Sequence, residues 1–123
     1  MYFSPVPGVD FDEVNFVPHV VGLESGIYST IYVSFKKAIS DAKLMGVYAK
    51  YYGRAPFVRL FKELPRLKNV VGTNFCDIGF SLDDKKKKAV LVSCIDNLIK
   101  GAAGEAVQNM NIMAGFNETD GLL

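Results

Sequence analysis

Residues 89–113 read AVLVSCIDNLIKGAAGEAVQNMNIM, and this stretch decides the fold. Its first seven residues, Ala89 to Ile95, are apolar on both faces, the pattern of a central strand covered from two sides. Asp96 to Lys100 carry the chain out of that strand into the small-residue run Gly101-Ala102-Ala103-Gly104. A helix should follow from about Ala102 to Ala114, burying Ala103, Ala106, Val107, Met110 and Met113, with Gly115 ending it. A strand feeding a helix through a glycine-rich turn aims unpaired backbone N–H groups and a helix N-terminus at one point. Gly101 and Gly104 would let a ligand approach the backbone closely, because neither carries a Cβ. Glu105 sits in the first turn, where the helix dipole favours a carboxylate. A plainer reading also fits these residue types: the small residues allow tight packing, and Glu105 caps its own helix.

Working outward, Asn74 to Leu82 alternates with Cys76, Ile78, Phe80 and Leu82 on one face, so it should pair with the central strand as a hairpin. The tip between them holds Asp83-Asp84 and Lys85 to Lys88, a charge run that reads as a solvated loop rather than a phosphate site. Ile27 to Phe35 alternates most cleanly, with Ile27, Ile31, Val33 and Phe35 opposite Tyr28, Thr30, Tyr32 and Ser34. Ser40 can cap a helix to about Tyr52, with a stripe of Leu44, Val47, Tyr48 and Tyr51 and with Gly53 at the left-handed position after it. Pro56 to Phe61 is extended, and Val70-Val71 suggests a brief strand. Val14 to Val21 is β-rich, although Pro18 limits it to a sheet edge. Residues 1–13 read as an irregular lead-in. The pattern predicts one α+β domain over 1–123, a mixed or mostly antiparallel sheet with helices on one face.

At 123 residues, half of them hydrophobic, the chain can build a real core. A net charge of +1 argues against a nucleic-acid or membrane-surface role. Cys76 and Cys94 lie in apolar strands without ligand spacing, and one histidine with two separated cysteines makes no metal signature. No signal peptide and no long apolar stretch are present, so the expected compartment is the reducing cytoplasm.

KGAAGEAVQNMNIM at 100–113 resembles the C-terminal signature of N-acetyl-gamma-glutamyl-phosphate reductases, in which glutamine usually stands at the position of Glu105. Further segments are similar in the same order: Val17-Pro18-His19-Val20, Gly26 to Thr30, Pro56 to Arg59, Val71 to Asn74 with Cys76-Asp77-Ile78, Ser93 to Asn97, and the closing Gly115 to Leu122. The resemblance implies part of a C-terminal substrate and dimerisation domain of the type shared with glyceraldehyde-3-phosphate dehydrogenase. It also implies a separate dinucleotide-binding half, NADP as cofactor, a homo-oligomer, and reduction of an acyl phosphate to a semialdehyde in arginine biosynthesis. Asn97, Gly101, Gly104 and Glu105 would then face the cofactor, and His19 and Lys100 the substrate.

The departures weigh as much. The sequence has no glycine-rich dinucleotide turn, no P-G-C-Y nucleophile motif and no H-x-H-x-P-E-I histidine motif, and Ser25 stands where the family usually has arginine. Cys76 and Cys94 fall at other family positions, and His19 lies in a segment separate from the catalytic histidine's, which leaves no catalytic residue to name. The resemblance therefore implies a chain inactive alone. Two other readings stay open: a non-enzymatic self-association module, for which the tyrosine-rich face of residues 28–34 is suited, and the equivalent piece of a lysine-pathway paralogue. Without a cofactor domain against it, part of Val107, Met110 and Met113 would be exposed and favour self-association.

Overall fold

The computed structural model describes residues 14–123, so the lead-in at 1–13 lies outside the described residues. Four strands, β1 (Ile27–Ser34), β2 (Val58–Phe61), β3 (Cys76–Leu82) and β4 (Lys88–Ile95), form one sheet in the order β1-β4-β3-β2. β4 runs antiparallel to both β1 and β3, whereas β2 runs parallel to β3. The sheet is therefore mixed, as the sequence predicts, and the strand apolar on both sides is central. Its register places Phe80 opposite Leu91 and Ile31 opposite Leu91, so these three side chains share a face.

On that face, α1 (Asp41–Tyr52) seats Leu44 against Phe80 and Ala89, with Phe35, Ile39, Met45, Tyr48, Leu82 and Leu91 around them. The Tyr48 and Phe80 rings lie 6.2 Å apart. Ser40 caps α1 by accepting the Lys43 N–H at 3.3 Å. Two expectations for α1 change. Val47 and Tyr51 are exposed, because the helix touches the sheet along a narrow line. Gly53 is right-handed at φ −63, and its lack of Cβ instead permits close approach to the Ala49 carbonyl.

The opposite face of the sheet is covered by a loop. A short 3-10 turn, Leu67–Asn69, carries Val70 onto Val92 and Cys94, with Leu67, Phe75 and Val90 packed beside them. Val70 is thus buried without being a strand residue; it follows a helical turn and precedes Gly72, whose φ is +78. Nor is Val14 to Val21 a strand: it is irregular and exposed, having no partner edge to complete its hydrogen bonds. The 83–88 tip is solvated, with Asp83 Oδ1 accepting the Lys87 and Lys88 N–H groups and Lys86 reaching Asp41 at 2.5 Å.

Candidate functional site

β4 ends at Ile95, and a π-turn at Ile99–Ala103 leads without a break into α2 (Gly104–Ala114). Its wide i→i+5 bonding is explicit: Gly101 N–H donates to Asp96 O at 2.9 Å and Ala103 N–H to Leu98 O at 3.2 Å, while Gly104 N–H reaches Ile99 O. Such turns recur at functional sites. Gly115, in the left-handed region at φ +76, ends α2 as expected.

The cradle of free N–H groups is not formed. Asp96 Oδ1 accepts from Leu98 N–H at 2.8 Å and Ile99 N–H at 3.2 Å, and the N–H groups of Gly101, Ala103 and Gly104 are taken by carbonyls. The place an external anion would occupy is filled by the chain's own carboxylate. Asp96 is 3 % exposed, and its Oδ2 also accepts Gly72 N–H at 2.8 Å and the Ser25 hydroxyl at 3.2 Å. These donors, led by the Gly72 N–H, hold its carboxyl below the ordinary value, against the opposing effect of burial. A cofactor diphosphate does not fit among these occupied N–H groups. What the turn does present is small and exposed: Gly101, Ala102 and Ala103.

The residues singled out from the sequence separate into two groups. Lys100, Glu105 and Gly104 meet in one cluster. The Lys100 ammonium pairs with the Glu105 carboxylate, donates to Gln108 Oε1 at 2.7 Å and lies 5.9 Å from the Phe57 ring centre. Glu105 therefore neutralises Lys100 as well as facing the helix dipole. Gly104 packs against Asn74: a Cβ there would collide with Asn74 Oδ1 and sit 2.8 Å from Ile99 Cγ2. Asn97 is tied elsewhere, its Oδ1 accepting Gly26 N–H at 2.5 Å. His19 is not brought to the cluster; it lies in the exposed segment with Nδ1 3.1 Å from Val17 O.

Sequence reasoning missed the hub of the cluster. Gln108 Oε1 accepts from Asn74 Nδ2 at 3.1 Å as well as from Lys100, and its Nε2 donates to Glu118 at 2.6 Å. Asn111 Nδ2 donates to the carbonyl of Asp120 at 2.9 Å, tying the C-terminal tail to α2. The buried stripe of α2 is thus Gly104, Gln108 and Asn111. This corrects the expected apolar stripe: Ala103, Ala106, Met110 and Met113 point outward and Val107 is only half-buried. The signal was present as Gly104 with the polar Gln108 and Asn111 at i, i+4 and i+7.

Cys94 is fully buried, and burial, with smaller contributions from Asp77 and Cys76, pushes its thiol up to about 11. Cys76 lies 3.5 Å from the Ser93 hydroxyl. Between β2 and β3, Arg59 holds the wholly buried Asp77 through two hydrogen bonds, 2.6 and 3.0 Å, while stacking 4.2 Å from the Phe75 ring centre. That is a structural ion pair under β2 and β3. No group of metal-ligating side chains occurs among the described residues.

The model of the semialdehyde dehydrogenase dimerisation domain matches residues 8–97. The chain belongs to that family. Relatives of this dimerisation domain include the N-acetyl-gamma-glutamyl-phosphate reductase of Caldicellulosiruptor saccharolyticus, 47 % identical over 111 residues, covering 89 % of this chain and 32 % of the relative. The Alkaliphilus metalliredigens reductase is 50 % identical with the same coverage, and that of Streptococcus mutans 44 %, covering 91 % and 33 %. The chain spans about a third of the length of these curated relatives. Aspartate semialdehyde dehydrogenase II of Vibrio cholerae shares the fold at a TM-score of 0.56 and 21 % identity, over 74 % of this chain and 28 % of that one. No helix among the described residues is long and apolar enough to cross a membrane.

Proposed function

We propose that the chain is the substrate and dimerisation part of an NADP-dependent N-acetyl-gamma-glutamyl-phosphate reductase, acting in cytoplasmic arginine biosynthesis together with a dinucleotide-binding half. The observation that carries this is identity of 43–50 % to such reductases over 111 to 113 residues. In such an enzyme a thiolate attacks the acyl carbon and phosphate leaves. NADPH, when bound, supplies the hydride that converts the thioester to the aldehyde. The buried Cys94 thiol, pushed up to about 11, is unsuited to that attack.

The chain's own part is shape and charge. Gly101 and Glu105 face the cofactor's neutral ring, Asn97 and Gly104 shape that turn from behind through Gly26 and Asn74, and Lys100 offers a cation to the acyl phosphate once Glu105 yields it. His19 borders the substrate from the segment before β1. Two copies meet through the sheet: β1 pairs only with β4 among the described residues, and Tyr28, Tyr32, Ile27 and Ile31 are exposed on its two faces. The exposed methionines of α2 dock against the dinucleotide-binding half.

The test is phosphate-dependent oxidation of N-acetylglutamate semialdehyde with NADP, by this chain alone and mixed with a separately expressed dinucleotide-binding half. Activity in the mixture only is the expected result. No activity in either arm favours the second reading, a self-association module, for which the exposed Tyr28 and Tyr32 are the supporting observation.

A further inference from the structure

Three segments far apart in sequence meet on the side chains of Asp96 and Asn97. The turn after β4 contributes Leu98 and Ile99 N–H, the loop after Leu67–Asn69 contributes Gly72 N–H, and the segment before β1 contributes the Ser25 hydroxyl and Gly26 N–H. Gly26 sits at φ +114 with Leu67 crowded against its Cα, so its approach is sterically fixed as well. Asp96 forms no salt bridge among the described residues. A buried carboxylate satisfied by neutral donors alone depends on all of them being in place, and each donor depends on the charge. We propose that Asp96 and Asn97 form a clasp that positions the segment preceding β1 against the turn following β4, with Asp96 the positioning residue for both. The two residues divide the labour: Asp96 sets the path of the turn, which aims the Asn97 amide at Gly26. The clasp stands on these contacts alone. Its consequence, that the substrate-side and cofactor-side segments move as one body, rests on the reductase reading above.

The experiment is amide hydrogen exchange by NMR on the full chain and on Asp96→Asn. Asparagine caps a helix about as well as aspartate, so Leu98 and Ile99 should keep their protection. Gly72 should exchange at least about tenfold faster because its bond to the carboxylate is lost, and Gly26 likewise because the adjacent Ser25 hydroxyl loses the same oxygen. Gly26 is the decisive probe: it bonds to Asn97 and not to Asp96, so a carboxylate that merely capped its own turn would leave it unmoved. Unchanged exchange at Gly26 would overturn the proposal. Should Asp96→Asn fail to fold, Ser25→Ala removes a single donor, and faster exchange at both Gly26 and Gly72 supports the clasp while unchanged exchange refutes it. No turnover is measured, so failure here leaves the reductase reading intact, and failure of that reading leaves the clasp intact.

Discussion

β4 and α2 are joined by one wide turn, yet they bury opposite chemistry. β4 buries Ala89, Val92 and Cys94 between α1 on one face and the Val70 loop on the other. α2 buries Gly104, Gln108 and Asn111, and turns Met110, Ile112 and Met113 to solvent. The strand is held by removal of apolar surface from water, about 25 cal/mol for each Å². The helix is held by side-chain hydrogen bonds worth about 0.5–1.5 kcal/mol each in net terms. A unit assembled this way buries the apolar side of its strand and exposes the apolar side of its last helix. Hydrogen exchange should therefore show α2 amides opening at lower free energy than those of β4; equal protection would break the comparison.

The largest effect should come from the sheet. Phe80→Ala removes a ring packed on Leu44 and Tyr48 and should cost about 3–5 kcal/mol, read as a lower urea midpoint at unchanged slope. Gly104→Ala should cost less, about 1–3 kcal/mol, since the new methyl collides with Asn74 and Ile99 where α2 begins. Its loss should appear as faster exchange in α2, with β4 nearly untouched. Acid sharpens the contrast at the junction. The Asp96 carboxyl titrates below its ordinary 3.8, so its contribution is complete above that pH and is lost as pH falls through the lower folded value. An acid titration followed by the Gly72, Leu98 and Ile99 amides should show one shared midpoint. The smallest effect belongs to the outward face: Met113→Lys should change stability by less than about 0.5 kcal/mol, yet remove association beyond the sheet-mediated dimer in sedimentation. An unshifted profile would place self-association on the sheet.

The sequence made the paired elements legible. β1, α1, β3 and β4 lie within a residue or two of their expected limits, because alternation, the Ser40 cap and the 83–88 tip are local signals. Val14 to Val21 was misleading for the same reason: its residues suit a strand, but strand formation needs a partner edge that composition does not reveal. The α2 stripe failed differently. Ala106, Met110 and Met113 do share a face, and only the position of the remaining surface decides whether that face turns inward. Lys100, Gly104 and Glu105 were visible as a turn motif, whereas Asn74, against which Gly104 packs, and Glu118, which accepts from Gln108, come from positions that only the fold brings together.

The π-turn also sets the rotational phase of the last helix. Each residue of an α-helix advances the side chain by about 100°, so the extra residue accommodated between Ile99 and Ala103 rotates all of α2 by that amount relative to a plain continuation. Straightening this turn into an ordinary α-helical one without removing a residue would rotate Gln108 and Asn111 away from Asn74 and Glu118 and bring Val107 and Met110 into their place. Which face of the last helix is sticky, and which is welded to its own domain, is thus decided by the count of residues in one turn.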